Sequence, residues 1–273
     1  MQHTDTSLNR PHIGIFDSGI GGLSVLRVVQ QRLPWARLSY VADTRHTPWG
    51  DRPALWVQAR SEQLTQWLIA QGASCVLVAC NTATTQAITQ LRARWPDVPF
   101  VGVEPGIKPA AALTRNGRVA VLATPGTLRS ARTLHLLAEH GASTTVLPLP
   151  CPGLVEAIEG AQTSPERLTR QLDEVAARVR ATEADTVVLG CTHYPLVAGL
   201  LAQRLPGLTL LDTAEAVARR LAQLTGDAAE PRDAAPALLQ LFSTGEPAGL
   251  QRAADQWLDW PCTAQALSLP DPA

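Results

Sequence analysis

The chain has 273 residues, 45% of them hydrophobic, and a formal net charge of −1, which describes a globular protein of one large or two modest domains and excludes a disordered one. Near-neutral charge removes the electrostatic reason to expect nucleic acid or an anionic membrane as the main partner, so a small-molecule ligand is the expectation. The opening MQHTDTSLNRPH lacks a basic start followed by an apolar run, and no apolar stretch is long enough to span a bilayer, so the expected location is cytoplasmic.

Short aliphatic runs alternate with longer amphipathic stretches, the pattern of strands and crossover helices in mostly parallel sheets, so the class is α/β. A first strand is expected at HIGIF (12–16), followed by the turn FDSGIGGLS (16–24) and a helix from Leu23 to Arg32. That turn offers an acid, a hydroxyl and a glycine-opened helix start whose N–H groups favour an anion. Asp17 would cap the helix, and a carboxylate held that way can also receive an ammonium group. The glycine spacing fits neither GxGxxG nor the GKS/T loop of nucleotide sites. A second strand at LSYVA (38–42) ends in Asp43 and Thr44, and Pro48, Trp49 and Gly50 form a turn able to present backbone N–H groups to a carboxylate, with Trp49 equally suited to packing. A helix over 54–71, a strand CVLVA (75–79), a helix over 84–94 and a strand PFVGV (99–103) follow.

The segment EPGIKP (104–109) reads as a hinge. Beyond it come strands RVAVLA (118–123), STTVLPL (143–149), DTVVLG (185–190) and LTLLD (208–212), separated by helical stretches. The two halves correspond strand for strand and in the same order, so the expected architecture is two pseudo-symmetric, doubly wound lobes with mostly parallel sheets and an active site between them. The first lobe would span 12–104 with about 226–262 returning to it, through a strand at LLQLFSTG and a last helix from Gly249 to Trp260. The second would span 105–225.

Five cysteines with no CxxC pair suggest neither a disulfide framework nor a four-thiolate zinc site. Cys75, Cys151 and Cys262 read as small apolar packing residues. Cys80 and Cys191 differ, because each closes the third strand of its half and runs into hydroxyl or imidazole side chains, in CNT and CTH. The helix start is expected to lower the thiol pKa and make a thiolate accessible near neutral pH. Two weak acids facing one ligand from opposite half-sites are what a two-base proton transfer needs, which points to an enzyme that inverts a carbon centre. Lys108, the only lysine, lies in the hinge and not in a catalytic turn, which argues against a Schiff-base cofactor.

FDSGIGGLSVL, VADT with Pro48 and Gly50, ACNTAT, GVEPG, LATPGT and LGCTHYPL, in that order over residues 12–214, together resemble the bacterial glutamate racemases of the aspartate/glutamate racemase superfamily. The resemblance implies a cofactor-independent isomerase that interconverts L- and D-glutamate for peptidoglycan synthesis, with no metal. It makes Cys80 and Cys191 the catalytic thiols, with Asp17 beside the first and Glu156 and His193 beside the second. Asp17, Ser18, Trp49, Gly50, Asn81, Thr82, Thr124, Thr127, Thr192 and His193 fall on substrate-binding positions. Trp49 stands where the family usually has Tyr, DTRH replaces DTAR, and Thr85 replaces a more usual Ser. A relative acting on another acidic amino acid, a cysteine hydrolase using Cys191 and His193, a Cys80–Cys191–His193 metal site, and a non-catalytic amino-acid-binding module remain the alternatives. The oligomeric state is open, a homodimer included.

Overall fold

The computed structural model describes residues 10–140, 144–225 and 238–272. Six strands build the first sheet: β1 (His12–Asp17), β2 (Arg37–Ala42), β3 (Cys75–Val78), β4 (Phe100–Gly102), β9 (Leu239–Ser243) and β10 (Ala264–Ala266). Four build the second: β5 (Arg118–Ala123), β6 (Thr145–Pro150), β7 (Thr186–Leu189) and β8 (Thr209–Leu211). All neighbours are parallel, in the orders β10-β9-β2-β1-β3-β4 and β6-β5-β7-β8. The order 2-1-3-4 of the first half is therefore repeated as 6-5-7-8 in the second. In each sheet the chain reverses its winding at the first strand of the half, and the crevice at that switch point is where such sheets hold ligands.

The helices are α1 (Leu23–Arg32), α2 (Ala54–Ala70), α3 (Asn81–Arg94), α4 (Ile107–Leu113), α5 (Pro125–Arg129), α6 (Ala131–His140), α7 (Leu154–Glu159), α8 (Pro165–Arg180), α9 (Ala198–Arg204), α10 (Ala214–Leu224) and α11 (Pro247–Trp257). They cover both faces of each sheet because the strands are apolar on both. Ile13, Ile15, Leu38 and Leu77 point to the side of α1, α10 and α11, while Phe16, Val41, Val76 and Val78 point to α2 and α3. Ala120, Leu122, Val187 and Leu189 of the second sheet meet α7 and α8, and Val119, Val121 and Val188 meet α4 and α6. In α8 the buried residues Leu168, Leu172, Val175, Ala176 and Val179 form a stripe at helical spacing. Burying each large side chain of that stripe contributes about 1.5–3 kcal/mol, far more than its helix propensity.

Three findings differ from the sequence expectation. The expected second segment, 105–225, includes α10, yet Ala214, Val217, Ala218, Leu221 and Ala222 pack into the core of the first sheet beside α1. The apolar stripe of α10 fits the face of α1, and nothing local in the sequence marks which sheet it will cover. The returning segment runs past 262, because β10 adds a sixth strand to the first sheet. Finally, α3 begins at Asn81, three residues before the expected 84, which makes Cys80 the residue at its cap. The expected strand start at Ser143 lies outside the described residues.

Candidate active site

The carboxyl ends of β1 and β3 meet those of β5 and β7 across a cleft. Asp17 ends β1 with no exposed surface, and its carboxylate is held by the backbone of the turn that follows: Ser18 N donates to Oδ1 at 2.7 Å and Gly22 N to Oδ2 at 2.6 Å. Thr192 Oγ1, from the other half, donates to Oδ2 at 3.3 Å, and Ser24 Oγ donates to Thr192 O at 2.9 Å, so Asp17 and its helix tie the halves together. Burial raises the Asp17 pKa, opposed by the positive charge of His193 and the two backbone hydrogen bonds.

Cys80 follows β3 and lies beside Asp17. Its sulfur points toward Ser18 Oγ at 3.7 Å, within the longer reach of a thiol donor, and Ser18 Oγ donates in turn to Asp17 Oδ1 at 3.3 Å. Burial pushes the Cys80 thiol up, and the charge of Asp17 pushes it further. The expected thiolate near neutral pH is thus corrected for Cys80: desolvation outweighs the helix start, and the residue rests as a protonated acid.

Cys191 follows β7 at the equivalent place. Its sulfur lies 3.8 Å from His193 Nδ1, and His193 Nε2 lies 2.8 Å from Glu159 Oε1. Burial works against an imidazolium here, yet the hydrogen bonds to Cys191 and Glu159 outweigh it and hold His193 well above the ordinary imidazole value. A positive charge therefore stands beside Cys191 as a negative one stands beside Cys80. Glu159 also accepts from Ile20 N at 3.0 Å. A cavity of about 920 Å³, lined by Ile20, Leu168, Leu196, Arg252 and Trp257 among others, opens on the far side of Glu159.

The glycines of the first turn are explained by this packing. A Cβ on Gly21 would run into the His193 ring, and one on Gly19 into the Glu159 carboxylate. Those positions are empty of side chain so that the second half can approach the first, which gives the turn a reason other than a phosphate cradle.

Across the cleft, Thr82 Oγ1 lies 3.0 Å from Thr124 Oγ1 and 3.2 Å from Thr127 Oγ1, so three hydroxyls from two halves converge. Gly50 O accepts from Gly126 N at 2.9 Å, and a Cβ on Gly50 would meet Thr124 Cβ at 2.8 Å. Asn81 Nδ2 donates to Val103 O at 3.1 Å, while its Oδ1 is buried and, among the described residues, has no partner. A buried acceptor left open costs about 1–3 kcal/mol, which a substrate ammonium would recover. The three convergent hydroxyls and the one open amide oxygen give the site both donors and an acceptor for a polar ligand.

Two expected residues are corrected by the structure. Glu156 is not the acid beside the second thiol: among the described residues its side chain makes no hydrogen bond or ion pair, and Glu159, one turn later on α7, reaches His193. Both glutamates in CPGLVEAIEG carry the same chemistry, and only the packing of α7 against Ile20 and His193 separates them. Trp49 does not turn a polar atom to the cleft, because its indole N–H donates to Asp43 Oδ2 at 3.1 Å and its ring packs edge-on against Trp56, 5.6 Å between centroids. Cys75 and Cys151 are buried with thiols pushed up to about 12, as packing residues would be. Among the described residues no group of three or more His, Cys, Asp or Glu side chains is placed to hold a metal ion, and no helix is long and apolar enough to cross a membrane.

Residues 39–221 match the family model described as Asp/Glu/Hydantoin racemase. The chain is 47% identical over 229 residues to a glutamate racemase of Pseudomonas aeruginosa, covering 81% of this chain and 86% of that one. Its fold is similar to that of Escherichia coli glutamate racemase in complex with L-glutamate and the activator UDP-MurNAc-ala, with a TM-score of 0.83 and 32% identity over 96% of this chain and 99% of the other. It is also similar to glutamate racemase from Francisella tularensis in complex with D-glutamate, with a TM-score of 0.80 and 25% identity over 95% and 98% of the two chains.

Proposed function

The chain belongs to the Asp/Glu/Hydantoin racemase family and is an amino-acid racemase, and on that premise we propose that it interconverts L- and D-glutamate through Cys80 and Cys191 acting as two opposed acid–base groups. The observation that carries the reading is the placement of the thiols at equivalent ends of β3 and β7 in two sheets of the same strand order, one beside Asp17 and the other beside His193.

In one direction the sulfur of Cys191, beside the imidazolium, takes the α-proton from the face it meets. Cys80, which rests protonated, delivers its proton to the opposite face of the same carbon. One S–H bond forms and one breaks, and the C–H bond is remade with inverted configuration. The reverse direction starts with the thiols in exchanged states: Cys80, having given a proton to Asp17, takes the α-proton, and Cys191, having received a proton from His193, delivers it to the opposite face. Thr82, Thr124, Thr127 and the Gly50 turn surround the substrate carboxylate, and the open Asn81 Oδ1 and Asp17 receive the ammonium. The charge that develops at the α-carbon is stabilised by these preorganised dipoles in a cleft closed to water. Positioned proton transfer alone contributes about 10²–10⁴ in rate, so the electrostatic environment supplies the remainder.

In a cell the reaction would take place in the cytoplasm and supply D-glutamate for peptidoglycan synthesis. The test is circular dichroism of L-glutamate, D-glutamate and L-aspartate with purified enzyme and no added cofactor. Loss of signal for both glutamate enantiomers and not for aspartate is expected. A stable signal with glutamate, or equal rates on aspartate, would reject glutamate as the substrate.

A further inference from the structure

Asp43 ends β2 with no exposed surface and is the hub of a polar cluster that the proton-transfer chemistry leaves unused. Arg60 Nη2 donates to Oδ1 at 2.6 Å, Thr244 Oγ1 donates to it at 2.8 Å, Trp49 Nε1 donates to Oδ2 at 3.1 Å, and His46 Nδ1 lies 3.1 Å from Oδ2. Arg60 is itself wholly buried, and a buried guanidinium is tolerated only where its charge and its N–H groups are all matched. Its Nη1 meets that demand by donating to Gln63 Oε1 at 2.9 Å and to the backbone oxygen of Pro270 at 2.8 Å. The next residue, Asp271, places Oδ1 3.0 Å from His46 Nε2. Both ring nitrogens of His46 thus face carboxylate oxygens, and the ring joins Asp43 to the C-terminal segment.

The turn Thr44–Gly50 that this cluster adjoins is irregular backbone with no ladder of its own, so contacts from outside determine where it sits. Behind it, Thr44 Oγ1 lies 2.6 Å from Ser243 Oγ at the end of β9, and Gly245 N donates to Thr44 Oγ1 at 3.0 Å. In front of it are the Thr124 and Gly126 contacts of Gly50, and the Thr47 hydroxyl, buried and, among the described residues, without a hydrogen-bond partner, beside Gly19. We propose that the segment from Ser243 to Asp271 is a clasp that holds the Thr44–Gly50 turn over the cleft, with Asp43, Arg60 and Asp271 as positioning residues, so that substrate affinity depends on residues that touch no substrate. The proposal rests on the reading of the cleft as the amino-acid site.

The test removes residues from Pro270 onward and, separately, replaces Asp271 by Ala and by Glu in the otherwise full chain. Asp271 is 64% exposed, so its substitution leaves the core intact. In the truncated and Asp271→Ala enzymes, amide exchange in peptides covering 44–50 should accelerate at least about fivefold while those covering β5 and β7 are unchanged. KM for both glutamate enantiomers should rise at least about threefold with kcat within about twofold, the signature of lost uniform binding. Asp271→Glu should keep the wild-type KM. Wild-type exchange over 44–50 in both variants overturns the proposal. Faster exchange with unchanged KM also overturns it, since the clasp would then be structural only. If truncation unfolds the chain, Asp271→Ala decides alone. If the wild-type enzyme racemises no glutamate, the functional reading fails by itself while the exchange measurement still reports on the clasp.

Discussion

Replacing Glu159 by Gln separates the acid that the structure selects from the one that the sequence suggests. Glu159 Oε1 receives His193 Nε2 at 2.8 Å and Ile20 N at 3.0 Å, with 17% of its side chain exposed. Gln keeps the size and one acceptor oxygen but removes the charge that holds His193 protonated. A hydrogen bond to a charged partner in such a place contributes about 1.5–3 kcal/mol, so kcat/KM should fall about 10- to 100-fold. The fall must be equal in both directions, because two enantiomers have the same free energy and the ratio of the two kcat/KM values is fixed. The pH dependence follows from His193, whose pKa is raised by Glu159 and Cys191 against the effect of burial. Without Glu159 the imidazolium is lost at lower pH, so the alkaline limb of kcat/KM should move to lower pH. Stability should respond with the same sign: a raised folded pKa stabilises fully below the unfolded value of about 6.5 and fades as pH rises through the folded value. The deficit of Glu159→Gln should therefore be full at about pH 6 and shrink in alkali. Initial rates by circular dichroism and urea unfolding across pH provide both readouts, with Glu156→Gln as the control. Wild-type rates and pH profile in Glu159→Gln, or an equal loss in Glu156→Gln, would refute the reasoning.

Gly50→Ala would place a Cβ 2.8 Å from Thr124 Cβ, so the two halves must separate by a few tenths of an ångström; kcat/KM should drop at least about tenfold with a loss of stability of about 1–3 kcal/mol, measured by steady-state rates and urea unfolding. Asp17→Asn turns an amide donor toward Ser18 N or Gly22 N, which should cost about 1–3 kcal/mol of stability by urea unfolding and depress kcat unequally for the two enantiomers while their kcat/KM values stay equal. Equal kcat losses would argue that Asp17 does not serve the Cys80 side alone.

The architecture was legible because each strand is a short aliphatic run and because the third strand of each half ends in a thiol, so one alignment of the halves gave two matching sets of four strands with a site between them, while the order of strands within each sheet came from the structure. Cys80 and Cys191 could be singled out from that, whereas the places of Asp17 and His193 beside them were implied by the resemblance to the racemases. Residues whose roles depend on distant packing were not legible. Glu156 and Glu159 share a helix and a chemistry, and α7 had to be docked on the first turn before one of them met His193. Trp49 reads as a cleft residue until Asp43 is seen to take its indole hydrogen. The resting protonation of Cys80 follows from the depth of its burial, which outweighs the helix start that the local sequence advertises. Arg60 looks like any helix-surface arginine, and α10 like any amphipathic helix, until long-range contacts bury them.

The central claim is that Cys80 and Cys191 serve opposite faces of one carbon. The direct measurement is α-hydrogen exchange in D₂O, followed by proton NMR, for Cys80→Ala and Cys191→Ala, each incubated separately with L- and D-glutamate. Each variant keeps one thiol, which can abstract a proton and return a deuteron on its own face only. Racemisation should nearly vanish in both, each should exchange a single enantiomer, and the enantiomer should differ between the two. Substantial racemisation by either folded variant, or exchange of the same enantiomer by both, would contradict the account.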